Sequence, residues 1–166
     1  AEELKRQGLH AVNVSLDTLN PDTYTKITGF SELSHVLEGI RTMEALHIPL
    51  KINVVLQQNV NAEEWKDLAL FAKEHPLDVR FIELMPIGYG KELPPISNSE
   101  LLKKLISEFG PLTPEKQSHG NGPAHYYHIE GFQGSIGFIS AIHGKFCDQC
   151  NRIRLTATGE LKPCLC

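Results

Sequence analysis

The sequence predicts an α/β fold in which a curved or barrel-like parallel sheet over residues 1–110 is followed by a β-rich region over residues 111–166. Three observations predict it. Strand-like and helix-like segments alternate through the first hundred residues, which places parallel strands side by side with right-handed helical crossovers. Three successive strand segments are apolar on one parity and polar on the other, whereas strands of a flat sheet covered on both faces read as apolar throughout. From Tyr126 onward the helical period gives way to short β segments separated by turns.

The opening residues, Ala-Glu-Glu-Leu-Lys-Arg-Gln-Gly, read as the end of a helix stopped by Gly8. His10–Leu16 is the first strand, with Asn13 and Ser15 on one face and Val12, Val14 and Leu16 on the other. Asp17–Thr28 is a turn-rich stretch containing a helical turn. Leu33–Leu46 is helical, since Val36, Leu37, Ile40, Met43 and Leu46 fall on one side. Pro49 resets the chain before the strand Leu50–Leu56, where Lys51 and Asn53 oppose Ile52, Val54 and Leu56. Asn61 with Glu64 three residues on has the pattern of a capping box and starts a helix through Trp65, Leu68 and Phe71 to about His75. Val79–Met85 is the third strand, and the period of two sets Glu83 and Met85 opposite Ile82 and Leu84. Pro86–Ser99 is loop, and Ser97-x-x-Glu100 caps a helix over Glu100–Phe109. Short strands follow at Tyr126–Ile129, Ser135–Ser140 and Arg152–Thr156, with Thr158-Gly159 as a turn. The polar parities of the three parallel strands gather on a single face, the expected lumen of a curved sheet.

A chain of 166 residues is long enough to bury a core. Its hydrophobic fraction of 41% and charged fraction of 22% are those of a soluble globular protein. The formal charge of −4 gives no global attraction to nucleic acid or to an anionic membrane, so an anion site must be local. No apolar run reaches the length of a membrane span, and the expected location is the cytoplasm. Both ends cut through an element and no signal-peptide pattern opens the chain, which reads as an internal piece of a longer protein.

The chemistry concentrates in the last twenty residues, where Cys147, Cys150, Cys164 and Cys166 follow C-x2-C-x13-C-x-C. A C-x2-C turn presents two thiolates together, and the later pair returns from the far side of a hairpin, an arrangement suited to a tetrahedral metal or an iron–sulfur cluster. Thiolate softness serves both. Zinc takes four ligands, either all four cysteines or three with His143, whereas a cluster on three cysteines leaves one iron open. A redox C-x-x-C would leave Cys164 and Cys166 idle, and one C-terminal cluster does not resemble a secreted disulfide framework.

Arg152 and Arg154 alternate on the expected strand and so share a face, forming a fork for phosphate or carboxylate; the plain alternative is a pair of solvated charges. Lys51 by itself reads as a strand-edge lysine, and Ser15 and Met85 as packing residues. Glu83 reads as a member of a buried hydrogen-bond network in the lumen rather than an acid–base group. His125 and His128, three apart in an expected strand, are read as structural. No residue is assigned a catalytic role.

Several strings resemble a known family. Asn13-Val-Ser-Leu-Asp17, Lys51-Ile-Asn-Val-Val55, Arg80-Phe-Ile-Glu-Leu-Met85, Gly137-Phe-Ile139 and Phe146-Cys-x-x-Cys-Asn-Arg-x-Arg-Leu155, followed by Gly159 and Cys164-Leu165, are similar to the radical S-adenosylmethionine GTP 3′,8-cyclases of molybdenum cofactor biosynthesis. The similarity runs from end to end and is most specific in the last third. It implies part of an incomplete (βα)6 TIM-like barrel, followed by a β-rich region with a cysteine-ligated iron–sulfur site. It implies two 4Fe–4S clusters and conversion of GTP to (8S)-3′,8-cyclo-7,8-dihydro-GTP. The first cluster, on a C-x3-C-x2-C motif, would cleave S-adenosylmethionine to a 5′-deoxyadenosyl radical. That radical abstracts the C3′ hydrogen of GTP, and C3′ then attacks C8 of guanine.

Carried over by position, the resemblance makes Cys147, Cys150 and Cys164 the ligands of the second, auxiliary cluster, whose open iron anchors guanine, with Cys166 spare. It makes Lys51, Arg152, Ile153 and Arg154 GTP-binding residues, and Ser15 and Met85 S-adenosylmethionine contacts. It further implies a homodimer, an external electron donor and a downstream cyclic pyranopterin synthase that receives the product. The C-x3-C-x2-C motif does not occur in this sequence, so the chain alone is expected to be inactive. Two readings compete: another radical S-adenosylmethionine enzyme with an auxiliary cluster, and a zinc-ribbon binding module, which would need Cys166.

Overall fold

A computed structural model of the chain describes residues 1–116, 119–120, 122–144, 147, 150 and 152–164. Strands β1 (Val12–Ser15), β2 (Leu50–Val54), β3 (Asp78–Ile82), β4 (Leu112–Pro114), β5 (His125–Ile129) and β6 (Ile136–Ile139) form one sheet in the order β1-β2-β3-β6-β5-β4. The first four in that order run parallel, and β5 and β4 complete the edge antiparallel. The fold is therefore mixed α/β with a mostly parallel sheet. Because β6 pairs directly with β3, residues on both sides of position 110 share one sheet. A separate hairpin of β7 (Arg154–Leu155) and β8 (Leu161–Lys162) stands outside it.

Helices α1 (Glu2–Arg6), α2 (Pro21–Thr28), α3 (Leu33–Ala45), α4 (Trp65–Glu74) and α5 (Asn98–Phe109) fill the connections. The sequence reading allowed only a helical turn where α2 forms. Its start is fixed by the Asn20 side chain, which accepts from the Asp22 and Thr23 amides at 2.9 and 3.0 Å, with Pro21 at the first helical position. Its end is fixed by Gly29 at φ 79°. The Ser97 cap of α5 forms as expected, with Oγ accepting from the Ser99 amide.

The expected capping box at Asn61 and Glu64 does not form. A short 3-10 turn over Ala62–Glu64 precedes α4, and the two side chains do longer-range work. Asn61, 1% exposed, donates to the carbonyls of Asp17 and Val55 and accepts from the Gln57 amide at 2.7 Å. Glu64 accepts from the Thr18 hydroxyl at 2.6 Å and from the Leu19 amide at 3.2 Å. The loops leaving β1 and β2 are thereby fastened to the start of α4, satisfying loop donors that would otherwise be buried unpaired.

The two faces of the sheet divide as the alternation predicts for β1 and β2. Ile52, Val54, Val79, Phe81, Ile136 and Phe138 are buried with Leu68 of α4 and Leu101 and Leu105 of α5, each side chain of this size contributing about 1.5–3 kcal/mol. The opposite face aligns Asn13, Lys51 and Asp78 in one row of the register and Ser15, Asn53 and Arg80 in the next.

In the third strand the expectation needs correcting. Glu83 and Met85 were expected on the polar face, whereas β3 begins at Asp78 and ends at Ile82, so Asp78 and Arg80 supply its polar members. Glu83 is turned with Phe81 toward α5, and Met85 lies beyond the strand. Glu83 shares the parity of Val79 and Phe81, which face the core, and its hydrogen bonds make a buried carboxylate tolerable there. Among the described residues no helix is long and apolar enough to cross a membrane.

Candidate functional site

The polar face is built by alternation: every second residue of three parallel strands must point away from the helices. Lys51 sits between Asn13 and Asp78 in register, and its Nζ lies 5.7 Å from the centroid of the Tyr126 ring. Burial lowers its pKa, partly opposed by Asp78 and reinforced by the charge of Arg80. Arg80 reaches across β2 and donates from Nη2 to Asn13 Oδ1 at 2.7 Å. Gly137 makes this possible, because a Cβ there would lie 2.9 Å from both Arg80 Cγ and Tyr126 Cε1.

Two buried atoms on this face, Asn53 Oδ1 and Arg80 Nε, have no hydrogen-bond partner among the described residues. They belong to register neighbours, one an acceptor and one a donor. Left unpaired, each costs about 1–3 kcal/mol, so a bound ligand with complementary groups is the natural partner.

The far wall of the face carries a second cluster that the sequence did not suggest. His119 stacks on Tyr126 with ring centroids 4.0 Å apart and 13° between planes. Its Nδ1 lies 2.8 Å from Asp78 Oδ2 and its Nε2 2.6 Å from Glu115 Oε2, and both nitrogens donate when the ring is protonated. Glu115 also accepts from the Ser135 hydroxyl. Gly120 follows at φ 109°, and a Cβ there would lie 3.5 Å from Lys51 Nζ. A Cβ on Gly122 would lie 3.9 Å from an Arg152 guanidinium nitrogen. Lys51 thus approaches Gly120, and Arg152 approaches Gly122.

The expected common strand face of Arg152 and Arg154 is not formed. Only Arg154 lies in β7, and Arg152 precedes the strand, since the hairpin pairs over two residues per strand and ends before reaching it. Arg154 faces Lys162 directly across the ladder, a like-charge pair that an anion would offset. Ile153 is 67% exposed between the arginines. Ser15 closes β1, one register row beyond Lys51, or about 7 Å toward the carboxyl ends of the strands. The Met85 carbonyl accepts from the Ile87 amide in the tight turn after β3, where a Cβ on Gly90 would meet that carbonyl at 2.4 Å.

The Cys150 amide donates to the Cys147 carbonyl at 3.2 Å, and Cys164 follows β8 two residues on. All three are exposed. Among the described residues no three His, Cys, Asp or Glu side chains are grouped closely enough to hold a metal ion. The donor type nonetheless fits a soft cluster, since all three donors are exposed thiols. Cys166 lies outside the described residues.

Glu83, 2% exposed, is the anchor of the segment that leads to these cysteines. It accepts from the amides of Asn98, Ile142 and His143 at 2.8–3.0 Å and from His143 Nδ1 at 3.1 Å. Burial raises its pKa, but these hydrogen bonds outweigh burial and hold it below the ordinary range. Its stabilisation is therefore complete above the usual carboxylate range and is lost as pH falls through the depressed pKa. Glu83→Gln places an amide donor among amide donors and is expected to cost about 1–3 kcal/mol. Urea unfolding at neutral pH checks it, and an unchanged midpoint would contradict the assignment.

Arg80 and His119 are not among the site residues that the sequence suggests. Arg80 and Asp78 carried a signal, their shared parity at the start of β3. His119 carried none, because its partners come from three separate strand regions.

Comparison with known proteins completes the description. The Molybdenum Cofactor Synthesis C family matches residues 77–166, and the Radical SAM superfamily matches residues 1–72. Among curated relatives, a GTP 3′,8-cyclase of Clostridium perfringens (strain 13 / Type A) is 46% identical over 164 residues, covering 99% of this chain and 51% of the relative. GTP 3′,8-cyclases of Desulforamulus reducens and Moorella thermoacetica are each 45% identical, over 172 and 170 residues, with 99% of this chain and 52% of each relative covered. The chain spans about half the length of the curated relatives it matches.

Proposed function

The chain belongs to the Molybdenum Cofactor Synthesis C family, and from that premise we propose that it forms the substrate-binding half of a radical S-adenosylmethionine GTP 3′,8-cyclase. The observation that carries the GTP assignment is the approach of Lys51 to Gly120 and of Arg152 to Gly122, whose Cβ positions would lie 3.5 and 3.9 Å from the respective cationic nitrogens. A triphosphate needs several cations and closely approaching backbone, and glycines permit that approach.

On this reading Lys51, Arg152 and Arg154 neutralise the phosphates, and Ile153 lies against the nucleotide between the arginines. Arg80 Nε and Asn53 Oδ1 complete their hydrogen bonding on the nucleotide. Ser15 and Met85, toward the carboxyl ends of the strands, contact S-adenosylmethionine. The polar face is the lumen of a partial (βα)6 barrel. Cys147, Cys150 and Cys164 would hold a 4Fe–4S cluster, which when bound supplies an iron without a protein ligand for the guanine base. Glu83 orients the segment that presents Cys147 and Cys150 by holding the Ile142 and His143 amides. The whole protein is placed in the cytoplasm as a homodimer that passes its product to a cyclic pyranopterin synthase.

Equilibrium GTP binding to the whole protein tests the assignment. Lys51→Ala and Arg152→Ala are each expected to weaken GTP roughly tenfold or more, the loss of one charge-assisted contact worth about 1.5–3 kcal/mol, with iron content unchanged. Wild-type affinity in both variants would remove the phosphate role.

A further inference from the structure

We propose that His119 is a positioning residue that reserves Lys51 for the substrate phosphates by holding Asp78 in a hydrogen-bonded clamp with Glu115. The proposal rests on Lys51 being a phosphate ligand. Lys51 and Asp78 are direct register neighbours on one face of adjacent parallel strands. With nothing else in reach, a lysine and an aspartate so placed form an ion pair, and that pair competes with any incoming anion. His119 prevents it geometrically. Asp78 Oδ2 is turned to His119 Nδ1 at 2.8 Å, and no ion pair between Asp78 and Lys51 forms. The ring is fixed from its other edge by Glu115, itself fixed by Ser135, and from its face by Tyr126. Lys51 Nζ is left over the same tyrosine ring.

The charge balance makes the clamp depend on a proton. Lys51, Arg80 and protonated His119 set three cations against the two carboxylates of Asp78 and Glu115; neutral His119 cancels the excess. The other titratable groups facing this cluster are His128, whose charge bears on Glu115, with His10 and His125 lining the cavities on either side. Burial alone would lower the His119 pKa, but its hydrogen bonds to Asp78 and Glu115, and their charges, raise it above its ordinary value. The clamp is thus intact at and below the ordinary histidine range and is released as pH rises through the raised pKa.

The test is GTP affinity of the whole protein with its cluster in place, across pH, for wild type, Asp78→Asn, His119→Ala, the double variant and Lys51→Ala. His119→Ala is expected to weaken GTP roughly three- to fivefold, the upper worth of one competing ion pair. Adding Asp78→Asn, which removes the competitor, is expected to restore affinity to within about twofold of wild type. Wild-type affinity should fall as pH rises through the His119 transition, and Asp78→Asn, which leaves the ring in place, should flatten that profile. A double variant as weak as His119→Ala, or a pH profile identical in wild type and Asp78→Asn, overturns the clamp while leaving Lys51 as a ligand. Undiminished binding by Lys51→Ala overturns the GTP reading itself, and the clamp with it.

Discussion

The Cys147→Ser protein is expected to lose nearly all of its iron on anaerobic reconstitution with iron and sulfide, against about four irons per chain in the parent form of this segment. Three thiolates are the minimum set for a cluster that keeps one iron open, and a serine alkoxide is a harder, more basic donor that does not substitute for a thiolate at neutral pH. A backbone hydrogen bond joins Cys147 to Cys150, so losing the Cys147 thiol removes one of two donors held close together. Cys166→Ser is expected to retain iron and sulfide, because three cysteines suffice. Metal and sulfide analysis, with EPR in the presence and absence of GTP, checks both. Full iron in Cys147→Ser with loss in Cys166→Ser would refute the ligand assignment. Stoichiometric zinc with no iron uptake would favour a structural zinc module instead.

The second large effect is expected in the scaffold. Gly134 lies directly against the chain entering β3, where a Cβ would fall 1.8 Å from the Leu77 carbonyl oxygen and 2.7 Å from its carbon. The obstacle is backbone, which a rotamer change cannot relieve. The Gly134 amide also donates to the Ala72 carbonyl at 2.9 Å, tying the end of α4 to the start of β6. Gly134→Ala is therefore expected to cost about 3 kcal/mol or more, a fall in Tm of roughly 6–12 °C for a protein of this size. Because Asp78 follows Leu77, the same shift would displace the first polar residue of β3. Gly39→Ala is the control: Gly39 is inside α3 with nothing within 4 Å of its Cβ position, and the change is expected to stabilise by up to about 1 kcal/mol. Thermal unfolding of the two variants side by side decides it, and equal Tm values would show that the Leu77 contact is not a constraint.

Much of the architecture was legible because it rests on local rules. The alternation in β1 and β2 placed Asn13, Ser15, Lys51 and Asn53 on one face, and the register confirms that grouping. The caps of α2 and α5 are written in Asn20-Pro21 and Ser97, residues that satisfy their own helix starts. Glu83 reads as a polar-face residue because a carboxylate on the core side needs partners that lie 15 to 60 residues away, at Asn98, Ile142 and His143. Asn61 and Glu64 looked like a cap for the same reason: their true partners are 44 to 46 residues away.

The sequence by itself determined the βα alternation, the apolar core and the kind of chemistry the cysteines and basic residues offer, since each depends on residue type at short spacing. Only the tertiary structure decided which groups meet. It set Arg80 against Asn13 across an intervening strand, brought Lys51 to Gly120 and Arg152 to Gly122, and closed His119 between Asp78 and Glu115. The physical reason is that a side chain's partner across a sheet is chosen by strand order and register, which are properties of the assembled core and not of any local stretch of chain.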